Sequence, residues 1–189
     1  TPLVAFLLTL CLWSGSRGGE IVAMEGREIS QEPDGWWWTL PKAKTKSARH
    51  AAATDLRVPL VGRALAVVRR RVDLYGDGWL FPVARGQGKH VEQKVTGVAV
   101  WASRPTTVTP ILPADRAKVL RMAAWSPHDL RRTVRTTLAA LGCPDAVAEA
   151  VLGHMPAGIV GVYNRHSYDD ERRNWLTLLS AHWESLAAQ

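Results

Sequence analysis

The stretch Trp125-Ser126-Pro127-His128-Asp129-Leu130-Arg131-Arg132-Thr133 predicts the helix around which the rest of the chain is organised. A small polar residue followed by proline is a common helix start, so a helix is expected over residues 127–141, with Gly142 ending it. Apolar residues recur along it at the spacing of one helix face. They are Leu130, Val134, Leu138 and Leu141. One side of this helix is therefore expected to anchor in a core.

Basic side chains lie beside that apolar face. At about 100° per residue, His128, Arg131 and Arg135 fall together at its edge, whereas Arg132 points further out. A titratable imidazole and a permanent cation at the edge of a core suit the binding and protonation of a phosphate. A solvated basic face that carries a histidine by chance explains the stretch equally well, so the motif needs partners elsewhere in the chain.

The composition bounds the class of protein. The 189 residues suggest one domain, or one domain with a small appendage, and a hydrophobic content of 47% is ample for a core. The formal net charge of +7 and a pI of about 9.9 favour a polyanionic partner. An anionic membrane surface or an ordinary basic soluble protein are the alternatives. Two cysteines, Cys11 and Cys143, make no disulfide framework, so a reducing compartment is expected.

The apolar run over residues 4–13 resembles the central region of a signal peptide. It has no basic region before it, and at ten residues it is too short to span a bilayer. We therefore expect a buried helix over residues 3–13 and no association with a membrane. Because the chain starts without methionine and almost inside this helix, we also expect a fragment whose N-terminal part is absent.

The remaining pattern predicts a mainly helical α+β chain. Strands over residues 36–40, which are rich in tryptophan, and 56–60 form a β-hairpin with a long basic loop. Residues 69–71 are expected to point mostly outward from a helix. The last helix is expected to turn Trp175, Leu178, Leu179, His182 and Leu186 inward. Helices are expected over residues 20–24, 62–74, 114–123, 145–152, 157–165 and 168–187, with a short helix or strand near 95–101.

Side chains that can perform chemistry recur at fixed places relative to these elements. In chain order they are Arg17, Lys42, Lys44, Lys46, His128, Arg131, His154 and Tyr163. The arginine ends the first helix, the lysines lie on the hairpin loop, and the tyrosine comes nine residues after the second histidine of the set. Each has an ordinary explanation, such as a helix cap or a solvated lysine. Ordinary roles alone would seldom place all of these residues in this order and at this spacing.

This set resembles the catalytic domain of the tyrosine site-specific recombinases, the phage integrase family, and in particular the integrases of prophages and genomic islands. The resemblance covers nearly the whole chain and is weakest over residues 85–113. It implies a fold in which a small antiparallel β-sheet packs on a helical core, and a fragment without the family's N-terminal DNA-binding domain. The matching stretches are Ser14-Gly15-Ser16-Arg17-Gly18-Gly19-Glu20, His128-Asp129-Leu130-Arg131-Arg132-Thr133, Leu152-Gly153-His154 and Val162-Tyr163.

The resemblance implies an enzyme that cuts and rejoins double-stranded DNA through a covalent 3′-phosphotyrosyl intermediate, without metal, ATP or another cofactor. It also implies a homotetramer on DNA, with residues 168–189 docking on a neighbouring subunit. A cytoplasmic protein encoded by a bacterium or a phage is expected. The alternatives are a catalytically silent DNA-binding module of the same fold, a topoisomerase-like relaxase, and a secreted basic protein.

The resemblance also assigns roles. Tyr163 is the nucleophile, with Tyr168 as a less well spaced alternative. Two arginines clamp the scissile phosphate, one histidine acts as general acid and base, another donates a hydrogen bond to the phosphate, and a hairpin lysine protonates the leaving 5′-oxygen. The implied catalytic set is Arg17, Lys46, His128, Arg131, His154 and Tyr163, with Lys44 as the alternative lysine. Contacts to the DNA backbone are expected from Lys42, Lys44, Arg132 and Arg135.

The chemistry of these side chains suits those roles independently. Guanidinium groups fit phosphate oxygens bidentately and stay charged at any working pH. A tyrosine hydroxyl has a pKa near ~10, so it needs nearby cations or a base to attack at neutral pH. A covalent intermediate keeps the energy of the phosphate bond for religation. Glu20 and Asp129 either orient the catalytic side chains or place acidic charge at helix starts.

Overall fold

A computed structural model describes residues 1–46, 48–49, 54–83, 88–104, 119–120, 122–154 and 167–188. Within these ranges it has seven helices, α1 (Pro2–Ser14), α2 (Gly18–Val22), α3 (Gly62–Tyr75), α4 (Lys94–Ala102), α5 (Pro127–Ala140), α6 (Asp145–Val151) and α7 (Asp169–Ala187). It also has the strands β1 (Ile29–Glu32), β2 (Gly35–Leu40) and β3 (Leu56–Leu60). Short 3₁₀ turns cover Gly26–Glu28 and Lys42–Lys44. The mainly helical α+β fold is confirmed.

The three strands form one antiparallel sheet in the order β1-β2-β3. The hairpin of β2 and β3 is as the sequence predicts, with Trp38 opposite Val58. The strand β1 was not predicted, because its sequence Ile-Ser-Gln-Glu has little β-propensity. It forms because the turn at Asp34-Gly35 folds the chain back, so that Ile29 pairs with Trp38 across the ladder.

The triple tryptophan of β2 covers both faces of this sheet, since successive side chains in a strand point in opposite directions. Trp38 is buried in the core and donates its indole N–H to Glu28 at 3.0 Å. Trp37 lies on the other face, where the guanidinium groups of Arg57 and Arg173 each stand 4.3 Å from its ring centre. Cation–π contacts therefore join the sheet to α7.

The core forms around α1, which packs against α3, α5 and α7 and against β3. The predicted burial of this helix is confirmed, with Leu7 and Leu10 almost fully enclosed. On α5, Val134 and Leu138 are buried, as the apolar spacing predicts. Leu141 is 38% exposed, so its predicted place on the stripe is wrong, because the helix ends at Ala140 and the chain turns away.

Arg71 corrects the expectation that residues 69–71 point outward. Its side chain is buried, and its Nε donates to the carbonyl of Leu80 at 2.7 Å. The guanidinium also lies 5.2 Å from the centre of the Phe81 ring. The segment after α3 folds back over the helix, and a planar cation satisfies its carbonyl while covering its aromatic ring.

The predicted inward face of α7 is also wrong in part. Leu179 is fully buried, but Leu178 is 54% exposed and Leu186 is also exposed. The buried face instead includes Leu176 and Trp183, and it packs on β3, α6 and α1 of the same chain. On this face Ser180 also accepts a hydrogen bond of 3.0 Å from the indole of Trp13.

Two predicted helices fall wholly or mainly outside the described residues. The helix over 157–165 lies outside them entirely. For the helix over 114–123, residues 119, 120, 122 and 123 are described and are not helical. In the parts of the chain that the structure covers, no helix combines the length and apolar character needed to cross a bilayer.

The neighbouring leucines of α7 provide a matched test of its orientation. Leu179→Ala is expected to lower the free energy of unfolding by about 2–5 kcal/mol, because it leaves a cavity in the core. Leu178→Ala is expected to change it by about 0.5 kcal/mol or less, because that side chain lies on the surface. Urea denaturation followed by circular dichroism measures both. Equal losses for the two variants would contradict the packing of α7 on its own domain.

Candidate active site

The start of α5 is fixed by a capping box, which sets the direction of the candidate catalytic side chains. The Asp129 carboxylate accepts from the backbone N–H and the hydroxyl of Ser126, at 2.9 and 2.8 Å. These bonds, with one from Arg132, hold the pKa of Asp129 below its usual range. Of the two roles that the sequence allows for Asp129, the structure shows the cap at a helix start.

Arg131 enters the core from this helix and is only 5% exposed. Its Nη1 donates to the carbonyl of Gly15 and its Nη2 to the carbonyl of Leu152, both at 2.5 Å. The same Nη2 lies 2.8 Å from Nε2 of His154. Among the described residues, these contacts use three of the five N–H donors of the guanidinium.

The two accepting carbonyls lie at glycine turns that end helices. Gly15 follows α1 with φ 67°, and a side chain there would crowd Val134 and Leu152 at 3.1 and 3.0 Å. Gly153 follows α6 with φ 63°. The N–H groups of Gly153 and His154 bond back to the carbonyls of Ala150 and Glu149, which is a Schellman motif. Glycine permits the left-handed backbone that turns each chain toward Arg131.

Burial changes the titration of the groups around α1 and α5. Burial, with a smaller contribution from the charge of Arg17, lowers the pKa of Arg131 to about 10, while Glu20 and Glu149 oppose the shift. The guanidinium nevertheless remains charged at neutral pH. Burial raises the pKa of the Cys11 thiol to about 12, so this neighbour stays neutral.

Arg17 is the second guanidinium of the site. It is the residue before α2, two positions after the carbonyl that Arg131 binds. Glu20 accepts from its backbone N–H and from its Nη1, both at 2.9 Å. Because Glu20 is buried and Arg17 is partly exposed, the carboxylate fixes the arginine while leaving it reachable from solvent. Glu20 therefore both caps the start of α2 and orients this arginine, which are its two predicted roles.

His154 completes this group at the end of α6. Its Nδ1 lies 2.5 Å from the Glu149 carboxylate, and its Nε2 faces Arg131. The Nε of Arg135 donates to Glu149 at 2.9 Å, and its Nη2 donates to Asp145 at 2.7 Å. Arg135, predicted as a DNA contact, is thus already paired with two carboxylates.

The hairpin lysines differ in their surroundings. Lys44 donates to the carbonyl of Ala23 at 2.8 Å and to the carboxylates of Glu25, at 2.6 Å, and Glu28. The Ala23 carbonyl lies at the C-terminal end of α2, which at 1.5 Å per residue is roughly 9 Å along the helix from Arg17. Lys46, which the sequence favours, is exposed on the turn that follows.

The remaining predicted residues lie at the surface or outside the described chain. His128 is exposed one helical turn before Arg131. The side chain of Arg132 is 73% exposed, in agreement with the helical spacing, and Lys42 is also exposed. Tyr163 lies outside the described residues. Tyr168 is described, and it packs against the core at the start of α7 with φ 56°.

The structure therefore brings together Arg17, Arg131 and His154, and it holds Lys44 at the far end of the short helix that Arg17 begins. Sequence reasoning missed Glu149, although the glycine that ends α6 is a signal for a turn that returns toward that residue. It also missed the carboxylates that hold Lys44. Among the described side chains, no group of three or more His, Cys, Asp or Glu is arranged to hold a metal ion.

Comparisons with known proteins show the family and the fold of this chain. Residues 4–170 match the phage integrase family. The integrase from mycobacterium phage Brujita superimposes with a TM-score of 0.65 at 16% sequence identity, over 95% of this chain and 52% of that one. XerA recombinase superimposes with a TM-score of 0.53 at 13% identity, over 94% of this chain and 62% of that one. At these identities the likeness shows the fold, and the chain spans only part of each relative's length. No curated protein matches the sequence.

Proposed function

Because the chain belongs to the phage integrase family, whose members are site-specific recombinases, we propose that it cuts and rejoins DNA strands through a covalent 3′-phosphotyrosyl intermediate. The observation that supports this most directly is the pairing of two guanidinium groups, Arg17 and Arg131, beside His154. Two fixed cations next to an imidazole are suited to a phosphodiester, which gains negative charge on its non-bridging oxygens during attack.

In the proposed reaction, the Tyr163 hydroxyl oxygen attacks the scissile phosphorus. His128 accepts the phenolic proton, and the bond from phosphorus to the 5′-oxygen breaks as that oxygen takes a proton from a lysine. Arg17 and Arg131 bind the non-bridging oxygens, and His154 donates to one of them. A 5′-hydroxyl of the partner strand then attacks the phosphotyrosine in reverse. These steps conserve the number of phosphate ester bonds, so they need no ATP, and the two guanidinium groups supply the positive charge that a metal ion would otherwise provide.

Lys44 is the better candidate for the lysine that protonates the 5′-oxygen. Its ammonium group is tied to the end of α2, the helix whose start carries Arg17, so both groups belong to one rigid unit. A general acid must be held at the reacting atom, and Lys46 on the exposed turn has less to hold it. Glu25 and Glu28 bind Lys44 in the free protein, and the approach of the leaving oxygen replaces them as its partner.

The proposed partner is double-stranded DNA, on which four protomers assemble in the cytoplasm. The net charge of +7 and the exposed Lys42 and Arg132 support contacts to the phosphate backbone. In such a tetramer, α7 has only one face available to a neighbouring subunit, because its other face is buried in its own domain. That free face includes Leu178 and Leu186.

The nucleophile is tested by trapping the covalent intermediate on a nicked duplex that carries the crossover site. Wild type is expected to form an adduct that survives a denaturing gel, and Tyr163→Phe is expected to form none, because it lacks the attacking oxygen. Tyr168→Phe is the matched control and should still form the adduct. Adduct from Tyr163→Phe but not from Tyr168→Phe would reverse the assignment. No adduct from any correctly folded form would favour a silent DNA-binding module.

The lysine assignment is tested with a substrate whose bridging 5′-oxygen is replaced by sulfur. Lys44→Ala is expected to slow cleavage of ordinary DNA by about 10²–10⁴-fold, the usual contribution of a general acid. It should cleave the sulfur substrate near the wild-type rate, since a thiolate leaves without protonation. Lys46→Ala is the control and should resemble wild type on both substrates. If instead Lys46→Ala cleaves ordinary DNA slowly and the sulfur substrate restores its rate, while Lys44→Ala is fully active, the general acid is Lys46.

A further inference from the structure

We propose that Glu149 is a positioning residue that holds the His154 imidazole against Arg131 and stabilises its protonated form when a phosphate enters the site. The catalytic use of this contact rests on the proposed function, whereas the contact itself is a property of the free protein. Glu149 lies outside every motif that carries the family resemblance.

The hydrogen-bonding partners of His154 define which ring nitrogen carries the proton. A guanidinium group only donates, so the Nε2 that lies 2.8 Å from Arg131 must accept. In a neutral imidazole the other nitrogen then carries the proton, and that nitrogen lies 2.5 Å from the Glu149 carboxylate. Glu149 and Arg131 therefore select the same tautomer from opposite sides of the ring.

Glu149 is itself fixed in place and ionised. Burial raises its pKa, but hydrogen bonds from His154 and Arg135 outweigh that effect and hold the pKa below its usual range. The backbone contributes as well, because the N–H of His154 bonds to the carbonyl of Glu149 in the turn after α6. Carboxylate and imidazole are thus joined twice, once through side chains and once through the main chain.

A phosphate that enters this site requires a change at His154. In the free protein Nε2 faces Arg131 as an acceptor, and an acceptor repels a phosphate oxygen. When the ring takes up one proton from solvent, Nε2 becomes a donor and its hydrogen bond from Arg131 breaks. The N–H of Nε2 and the freed N–H of Arg131 can then both donate to the same phosphate oxygen. The resulting imidazolium keeps the Glu149 carboxylate on its other side, and this opposite charge favours the protonated form.

Among the described residues, the other charged groups of this site come from three helices. From α2 and its cap, Arg17 and Glu20 act on Arg131, and from α6 comes Asp145, whose carboxylate binds Arg135. From α5 come Arg131 and Arg135. Among these described groups, Glu149 is the carboxylate in direct contact with the ring.

The inference is tested on the free protein by NMR, following the ring carbon and nitrogen shifts of His154 with pH and assigning them with His154→Gln. Glu149→Gln is expected to lower the pH at which half of the His154 rings are protonated by about one unit, because it removes the opposite charge. Asp145→Asn removes a carboxylate of the same helix that does not contact His154, so it should shift the midpoint of the His154 titration much less. An unchanged midpoint in Glu149→Gln, or an equal shift in Asp145→Asn, would overturn the inference.

A second readout separates this inference from the proposed function. The activity is the relaxation of a negatively supercoiled plasmid, measured as a function of pH. In Glu149→Gln, the pH above which this activity falls should be about one unit lower than in wild type. In a His154→Gln background, the same substitution should cause no further shift, because Glu149 acts through His154. A shift in the NMR titration without one in the activity profile would confine Glu149 to positioning the ring. Absence of the covalent adduct in correctly folded wild-type protein would refute the proposed function and leave the NMR result standing.

Discussion

The Arg131 guanidinium is held between the carbonyls of Gly15 and Leu152, inside the core and at the meeting point of three helices. A buried cation without partners costs several kcal/mol, so the two turns that supply these carbonyls must be in place for the fold to be stable. Both turns have glycine in a left-handed conformation, which lets the chain reverse direction at the helix end. The contact thus joins α1, α5 and α6 through one side chain.

The same contact places the reactive groups. The segment that donates the Gly15 carbonyl continues directly to Arg17, and the turn that donates the Leu152 carbonyl continues to His154. Movement of either segment would break a bond to Arg131 and would also move Arg17 or His154. Under the proposed function, stability and phosphate recognition depend on the same atoms, which explains how a small domain keeps two arginines close despite their mutual repulsion. Glu20 offsets that repulsion, since it is buried against Arg17.

How much the sequence predicts depends on whether a feature is local. The helix at Pro127, the tryptophan strand and the outward direction of Arg132 follow from caps and periodicity, and the structure confirms them. The burial of Arg131 does not, because the spacing predicts it at the edge of the core and the carbonyls of two other turns hold it inside. The inward turn of Arg71 does not, because it depends on the segment that folds over α3. The prediction that Leu178 points inward is wrong for the same reason, since packing against β3 selects the buried face of α7 and leaves this side chain exposed. Glu149 was missed because its role appears only when a turn brings His154 back to it.

The central claim is that Arg131 binds the scissile phosphate while Arg132, its neighbour, contacts DNA only from the surface. The most direct measurement compares the rate of covalent adduct formation at saturating DNA for Arg131→Lys and Arg132→Lys, both of which keep the positive charge. A lysine at position 131 has three N–H donors in place of the five of arginine, so it cannot bond both carbonyls and also hold a phosphate through two hydrogen bonds. A loss of about 10²–10³-fold is therefore expected there, with a change of only a few-fold at position 132. Wild-type rates for a folded Arg131→Lys, or loss of cleavage in Arg132→Lys alone, would contradict the account.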